Sequence, residues 1–202
     1  MSTKEMKLLL SALGEEAAKE LQRPAEPRDV MRQFCRAMSV RKGRPIELKF
    51  HSFPPDAGVS GVCLDLGDRS IIVVEEATAP EAQLVILGHE LRHAEKEDTG
   101  HHTAGMPAAA RTQGALQQPE AVRRALQQIL DECDASGEAV LTVTARDHYT
   151  DEHEIDAETF GLLFARAVRP WMRGRYAQGP VSDATVEGRI NLSLLNRGGS
   201  LL

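Results

Sequence analysis

The stretch His89-Glu90-Leu91-Arg92-His93, reached through Ala79-Pro80-Glu81-Ala82-Gln83-Leu84-Val85-Ile86-Leu87-Gly88, decides how the chain reads. Residues four apart on a helix lie on adjacent turns of one face, so His89 and His93 bring two imidazoles together at a spacing that suits tetrahedral Zn²⁺. Glu90, directly after the first histidine, stands where a general base could work on a water. Thr78-Ala79-Pro80-Glu81 reads as a capping box with proline near the first helical position. Leu84, Leu87 and Leu91 recur at helical spacing, which predicts a half-buried helix that starts just before the motif and stops near Gly100. The competing reading is an amphipathic helix whose histidines and glutamate merely face solvent.

A second segment weighs against that alternative. Residues Asp151 to Ala165 also read as a helix, with Glu154, Ala157, Gly161 and Phe164 at 3-4-3 spacing on one face. Two histidines leave a catalytic zinc one protein ligand short, and a glutamate from another helix completes a site that keeps one position open. Small residues one and two turns beyond Glu154 would let the two helices lie close, as the short reach of a carboxylate demands. Glu154 is the expected third ligand.

These two motifs resemble the ImmA/IrrE metallopeptidase group, in which HExxH is followed by a downstream E-x-E-A-N-x-F-A or a close variant. Glu154-Ile155-Asp156-Ala157-Glu158-Thr159-Phe160-Gly161 is similar in outline. Leu87-Gly88-His89-Glu90-Leu91, His101-His102 and Arg169-Pro170-Trp171 also resemble actinomycete proteins labelled toxin components or regulatory proteins. The resemblance spans roughly residues 45 to 171. It implies His89, His93 and Glu154 as zinc ligands, Glu90 as general base, and a protein substrate or regulatory partner such as a DNA-binding repressor. Two features set this chain apart. Arg92 puts a cation inside the motif, and the interval from His93 to Glu154 is about twice that of family members with short connections.

Around these motifs the chain is ordinary for a soluble globular protein. At 202 residues, with 42% hydrophobic and 27% charged residues, it can bury one full core. A net charge of −6 supplies no global attraction to nucleic acid or to an anionic membrane surface, so direct binding to either is not expected. Cys35, Cys63 and Cys133 are widely spaced and form no CxxC pair, which predicts reduced thiols in a cytoplasmic protein. The run has no apolar stretch long enough for a membrane span, and the N-terminus does not read as a secretory signal.

The expected fold class is α+β, a small zincin-like domain over residues 1–171 with a tail over 172–202. Residues 4–22 carry an amphipathic pattern, read as a helix folded back on the core. Glu26-Pro27-Arg28-Asp29 opens a second helix, with Val30, Met31, Phe34, Cys35 and Met38 inward, and residues 1–44 form an N-terminal helical region. The cluster Arg36, Arg41, Lys42 and Arg44 reads as a solvated helix end. Ile46–Phe53 alternates apolar and polar residues, and Val59–Leu66 and Ile71–Glu76 flank the turn Gly67-Asp68-Arg69-Ser70. These predict a three-stranded antiparallel sheet leading into the HExxH helix, the order of a small zincin.

Residues 100–150 form the expected insertion. Within it Pro119 starts a helix running to Cys133, and Val140–Thr144 reads as a strand or as the approach to the Glu154 helix. His148 and Tyr149 are candidates by position to stabilise an oxyanion. His101 and His102 do not complete a longer HExxHxxGxxH pattern and carry no ligand role. A short helix is expected from about Asp183 to Leu195. The functional expectation is a zinc-dependent endopeptidase of regulatory type. The alternative is a catalytically silent module of the same fold that binds a partner, as in a toxin–antitoxin pair.

Overall fold

A computed structural model describes residues 2–54, 60–96, 124, 127–131 and 151–174. Over these the chain is α+β. Helix α1 (Thr3–Ala17) leads to α2 (Pro27–Lys42), strands β1 (Ile46–His51), β2 (Gly61–Asp65) and β3 (Ser70–Glu75), helix α3 (Pro80–Lys96) and helix α4 (Asp151–Val168). A 3₁₀ turn over Arg169–Trp171 follows α4.

α1 opens on a capping box. Ser2 Oγ accepts from the Glu5 amide and Glu5 Oε2 accepts from the Ser2 amide, so two helix-end donors are satisfied reciprocally. Met6, Leu9, Leu13 and Ala17 are buried, and α1 folds back on α2, as its periodicity predicts. α2 starts at Pro27 and ends at Gly43, whose φ of 67° is the left-handed cap that favours glycine. Its inward residues include the five expected ones. Burial pushes the Cys35 thiol up to about 12, so at pH 8 it is neutral and covered. Native protein is expected to leave Cys35 unmodified by iodoacetamide while denatured protein alkylates it. Peptide mass spectrometry reads the difference, and native labelling would contradict this packing.

The sheet corrects one expectation. Its order is β1-β3-β2, with β2 antiparallel to β3 but β1 parallel to it, so the sheet is mixed. The tight turn between β2 and β3, closed by Leu66 N–H to the Arg69 carbonyl, allows only antiparallel pairing there. No comparably short turn ties β1 to β2. β3, whose Ile71, Ile72, Val73 and Val74 are fully buried, needs neighbours on both edges and takes β1 on its second one. A part-buried pair fastens the start of β1 to the end of β2: Arg44 donates to both Asp65 oxygens at 2.8 and 3.2 Å.

α3 starts at Pro80 as expected, but Thr78 donates its hydroxyl to the Glu75 carbonyl instead of forming the predicted capping box. Leu84, Leu87 and Leu91 are fully buried. The helix packs on α2, β2 and β3 with one side and most extensively on α4 with another. Phe34 joins the layers through an edge contact with Phe164 at 4.9 Å and a tilted one with Trp171 at 5.1 Å. Past Trp171 the chain stays attached, since Ala25 donates to the Trp171 carbonyl, Arg173 donates to the Ala25 carbonyl, and Met172 is fully buried.

The basic cluster at the end of α2 keeps Arg36 and Arg41 exposed, as expected of a solvated helix end, and is also paired within the fold. Arg41 forks onto the Glu95 carboxylate, Lys42 donates to the Glu95 carbonyl, Arg44 holds Asp65, and Arg36 donates to Gln33. Residues 124 and 127–131 are helical, in line with the helix expected from Pro119, and Ile129 and Leu130 are buried. Cys133, the possible strand Val140–Thr144, Gly100, His101, His102 and the helix expected over Asp183–Leu195 lie outside the described residues. Among the described residues no helix is long and apolar enough to cross a membrane.

Candidate metal centre

The site begins with how closely two helices approach. A Cβ built on Gly88 of α3 would stand 2.7 Å from Phe164 Cβ and 2.9 Å from Gly161 Cα of α4. One built on Gly161 would stand 2.7 Å from the Val85 carbonyl oxygen and 3.2 Å from the His89 amide nitrogen. The two helix backbones therefore touch where both residues are glycine. Ala157, one turn nearer the start of α4, is fully buried. The small-residue face read from Glu154-Ala157-Gly161 does form this contact, while its partner Gly88 went unread. A glycine within an apolar helical stripe was the available signal.

This approach brings the three expected ligands together. His89 and His93 stand one turn apart with their Nε2 atoms 2.9 Å from each other. Glu154 places Oε2 at 3.7 Å from His89 Nε2 and Oε1 at 3.6 Å from His93 Nε2. One ligand atom from each of the three lies within 4.8 Å of the others, a group that could hold a metal ion. The donor set fits: bonds of about 2.0–2.1 Å in a tetrahedron put ligand atoms about 3.3 Å apart, and the observed separations bracket that. Both Nε2 atoms can face one cation when each ring carries its proton on Nδ1; otherwise the 2.9 Å contact is an N–H···N hydrogen bond. Burial, followed by the neighbouring His89, pushes His93 down to about 3, so its imidazole is neutral near pH 7 and keeps a lone pair for a metal.

Glu90 lies on the flank of α3 that faces the sheet and is only 2% exposed. A Cβ on Gly61 of β2 would stand 3.0 Å from Glu90 Oε1, so the strand backbone passes directly by this carboxylate. Among the described residues β2 pairs with a strand on one side only, which makes it the edge nearest the site.

Arg92 does not press its charge on the histidines unopposed. Its guanidinium is 3.6 Å from Asp156 Oδ2, and Lys96 Nζ approaches the same oxygen at 3.5 Å. Burial lowers the Arg92 pKa, and Asp156 acts against that shift. A cavity of ≈ 590 Å³ opens beside this cluster, lined in part by Leu8, Arg92, Lys96, His153 and Asp156. Sequence reasoning missed Asp156, although cations four apart at positions 92 and 96 were a sign that one acid faces both. His148 and Tyr149, the oxyanion candidates, lie outside the described residues. Comparison of the chain with protein-family models, with curated proteins and with solved structures found no match in any of the three.

Proposed function

We propose that the chain is a zinc-dependent endopeptidase of regulatory type, acting on a protein partner such as a DNA-binding repressor. The observation that carries this reading is the convergence of His89, His93 and Glu154 from two helices, with Glu90 the next residue after the first ligand in sequence. The HExxH and Glu-x-x-Ala motifs and their likeness to ImmA/IrrE peptidases support it from the sequence side. A zinc ion at this donor set would polarise a scissile carbonyl and bring the pKa of a water down to about 7. As the water oxygen bonds to the scissile carbonyl carbon, the Glu90 carboxylate would accept its proton and pass it to the leaving amine nitrogen when the C–N bond breaks. The edge of β2 that no described strand pairs with would align extended substrate by main-chain hydrogen bonds.

The deep burial of Glu90 favours a second reading, a module of the same fold that binds its partner without cutting it. One experiment separates the two. A proteome incubated with the zinc-loaded protein should gain new N-termini at a few sites. The Glu90→Gln protein, with zinc still bound, should lose roughly 10²–10⁴-fold of that cleavage. Equal N-terminal profiles for both proteins would sink the hydrolytic mechanism, and an intact stoichiometric complex with a partner would favour the binding module.

A further inference from the structure

We infer that Asp156 is a positioning residue for the metal centre: with Arg92 and Lys96 it forms an ionic clamp that sets where Glu154 stands relative to the two histidines. The inference rests on the metal reading above and concerns what holds its third ligand in place. α3 supplies both His93 and the two cations that flank it in sequence, while α4 supplies both Glu154 and the acid two residues further on. A single carboxylate oxygen, Asp156 Oδ2, lies 3.6 Å from Arg92 and 3.5 Å from Lys96. The side chains of Arg92 and Asp156 are 5% and 14% exposed, so water screens the attraction less than it would at the open surface.

The clamp adds to the packing of the buried Ala157, because the closest backbone contact, at the glycines, lies far from the ligand. Gly161 is seven residues beyond Glu154, which at 1.5 Å per residue is about 10 Å along the helix axis. A hinge of ~10° at the Gly88–Gly161 contact would swing the start of α4 by ~2 Å, enough to carry the Glu154 carboxylate out of bonding range of a shared cation. Asp156 is only about 3 Å of rise from Glu154, so holding it removes most of that freedom. It also offsets two positive charges next to a site meant for a third. Without Asp156, less of the Arg92 and Lys96 charge would be offset as a cation entered, with Glu95 and Glu5 left to act on Arg92.

The test is zinc affinity of the full chain, measured from the metal-free protein by competition with a chromophoric chelator, alongside thermal unfolding of the same metal-free samples. Asp156→Asn, nearly equal in shape, should bind zinc about 10–100-fold more weakly, the usual scale for groups that orient a ligand. Asp156→Glu, which keeps the charge, should recover most of the loss. An Asp156→Asn protein that binds zinc within about twofold of wild type overturns the inference, whether or not its unfolding temperature falls. Should Asp156→Asn fail to fold, Asp156→Ser, equally uncharged but smaller, is held to the same 10–100-fold loss and the same twofold limit. Wild-type protein that takes up no zinc overturns the metal reading and this inference with it, and is distinguishable because the variants then play no part.

Discussion

Replacing Gly161 with alanine is expected to destabilise the protein by about 2–3 kcal/mol and to weaken metal binding with it. The same exchange at Gly14 should stabilise it by about 0.5–1 kcal/mol. Both glycines sit inside helices, and both exchanges relieve the same backbone-entropy cost, so the added methyl decides the sign. At Gly161 it would lie 2.7 Å from the Val85 carbonyl oxygen, a backbone atom that cannot turn aside. α4 must then move off α3, and the overpacking cost exceeds the helix-propensity gain. At Gly14 the nearest atoms belong to the Trp171 ring at 3.8 Å, an ordinary contact. Urea unfolding followed by circular dichroism reads both values. A Gly161→Ala protein as stable as wild type would mean that the helices do not meet as closely as described. Because the same contact brings Glu154 to the histidines, zinc affinity should fall in step with stability.

Metal-free protein should lose stability on mild acidification through His93. Its pKa is about 3 in the fold against 6.5 for the free side chain, so the native state refuses a proton that the unfolded chain accepts. The sign follows from linkage: between pH 6.5 and 3 the unfolded state holds more protons, and stability rises with pH across that window. The contribution is complete above pH 6.5, declines by up to about 1.4 kcal/mol per pH unit below it, and levels off below pH 3. Between pH 6.5 and 4.5, where carboxylates remain largely ionised, about 2–3 kcal/mol should be lost. Unfolding free energies measured in EDTA at intervals across that range test this, with His93→Gln as the comparison. If the variant shows the same slope as wild type, the titration belongs to another group.

Much of this site is legible along the chain because helices record their geometry locally. The i,i+4 pair His89 and His93, the leucine stripe behind it and the 3-4-3 face of Glu154 each report an arrangement fixed by the 3.6-residue repeat. Pairings between distant segments leave no such local record. Nothing in Ile46–His51 states whether it runs with or against β3, and short-range adjacency pointed to an antiparallel sheet that the parallel β1–β3 ladder replaces. Along the chain Arg92 can be read either as salt-bridging a carboxylate or as repelling a metal, because the acid that decides between the two, Asp156, belongs to another helix. Gly88 gave a similarly incomplete account of itself, since its role exists only opposite Gly161.

The union of α3 with α4 also bears on the long interval between His93 and Glu154. An ion shared by the two helices would act as a reversible cross-link, closing a ring of chain much as a disulfide does. In a polymer description the entropy of ring closure grows only with the logarithm of length, so doubling the enclosed chain costs about 0.6 kcal/mol. That is smaller than the net worth of a typical hydrogen bond, about 1 kcal/mol. Closure entropy therefore makes the interval a minor handicap for chelation, and evolution can lengthen or shorten it at little cost to the site, provided that the glycine contact and the Asp156 clamp return the carboxylate to the same place.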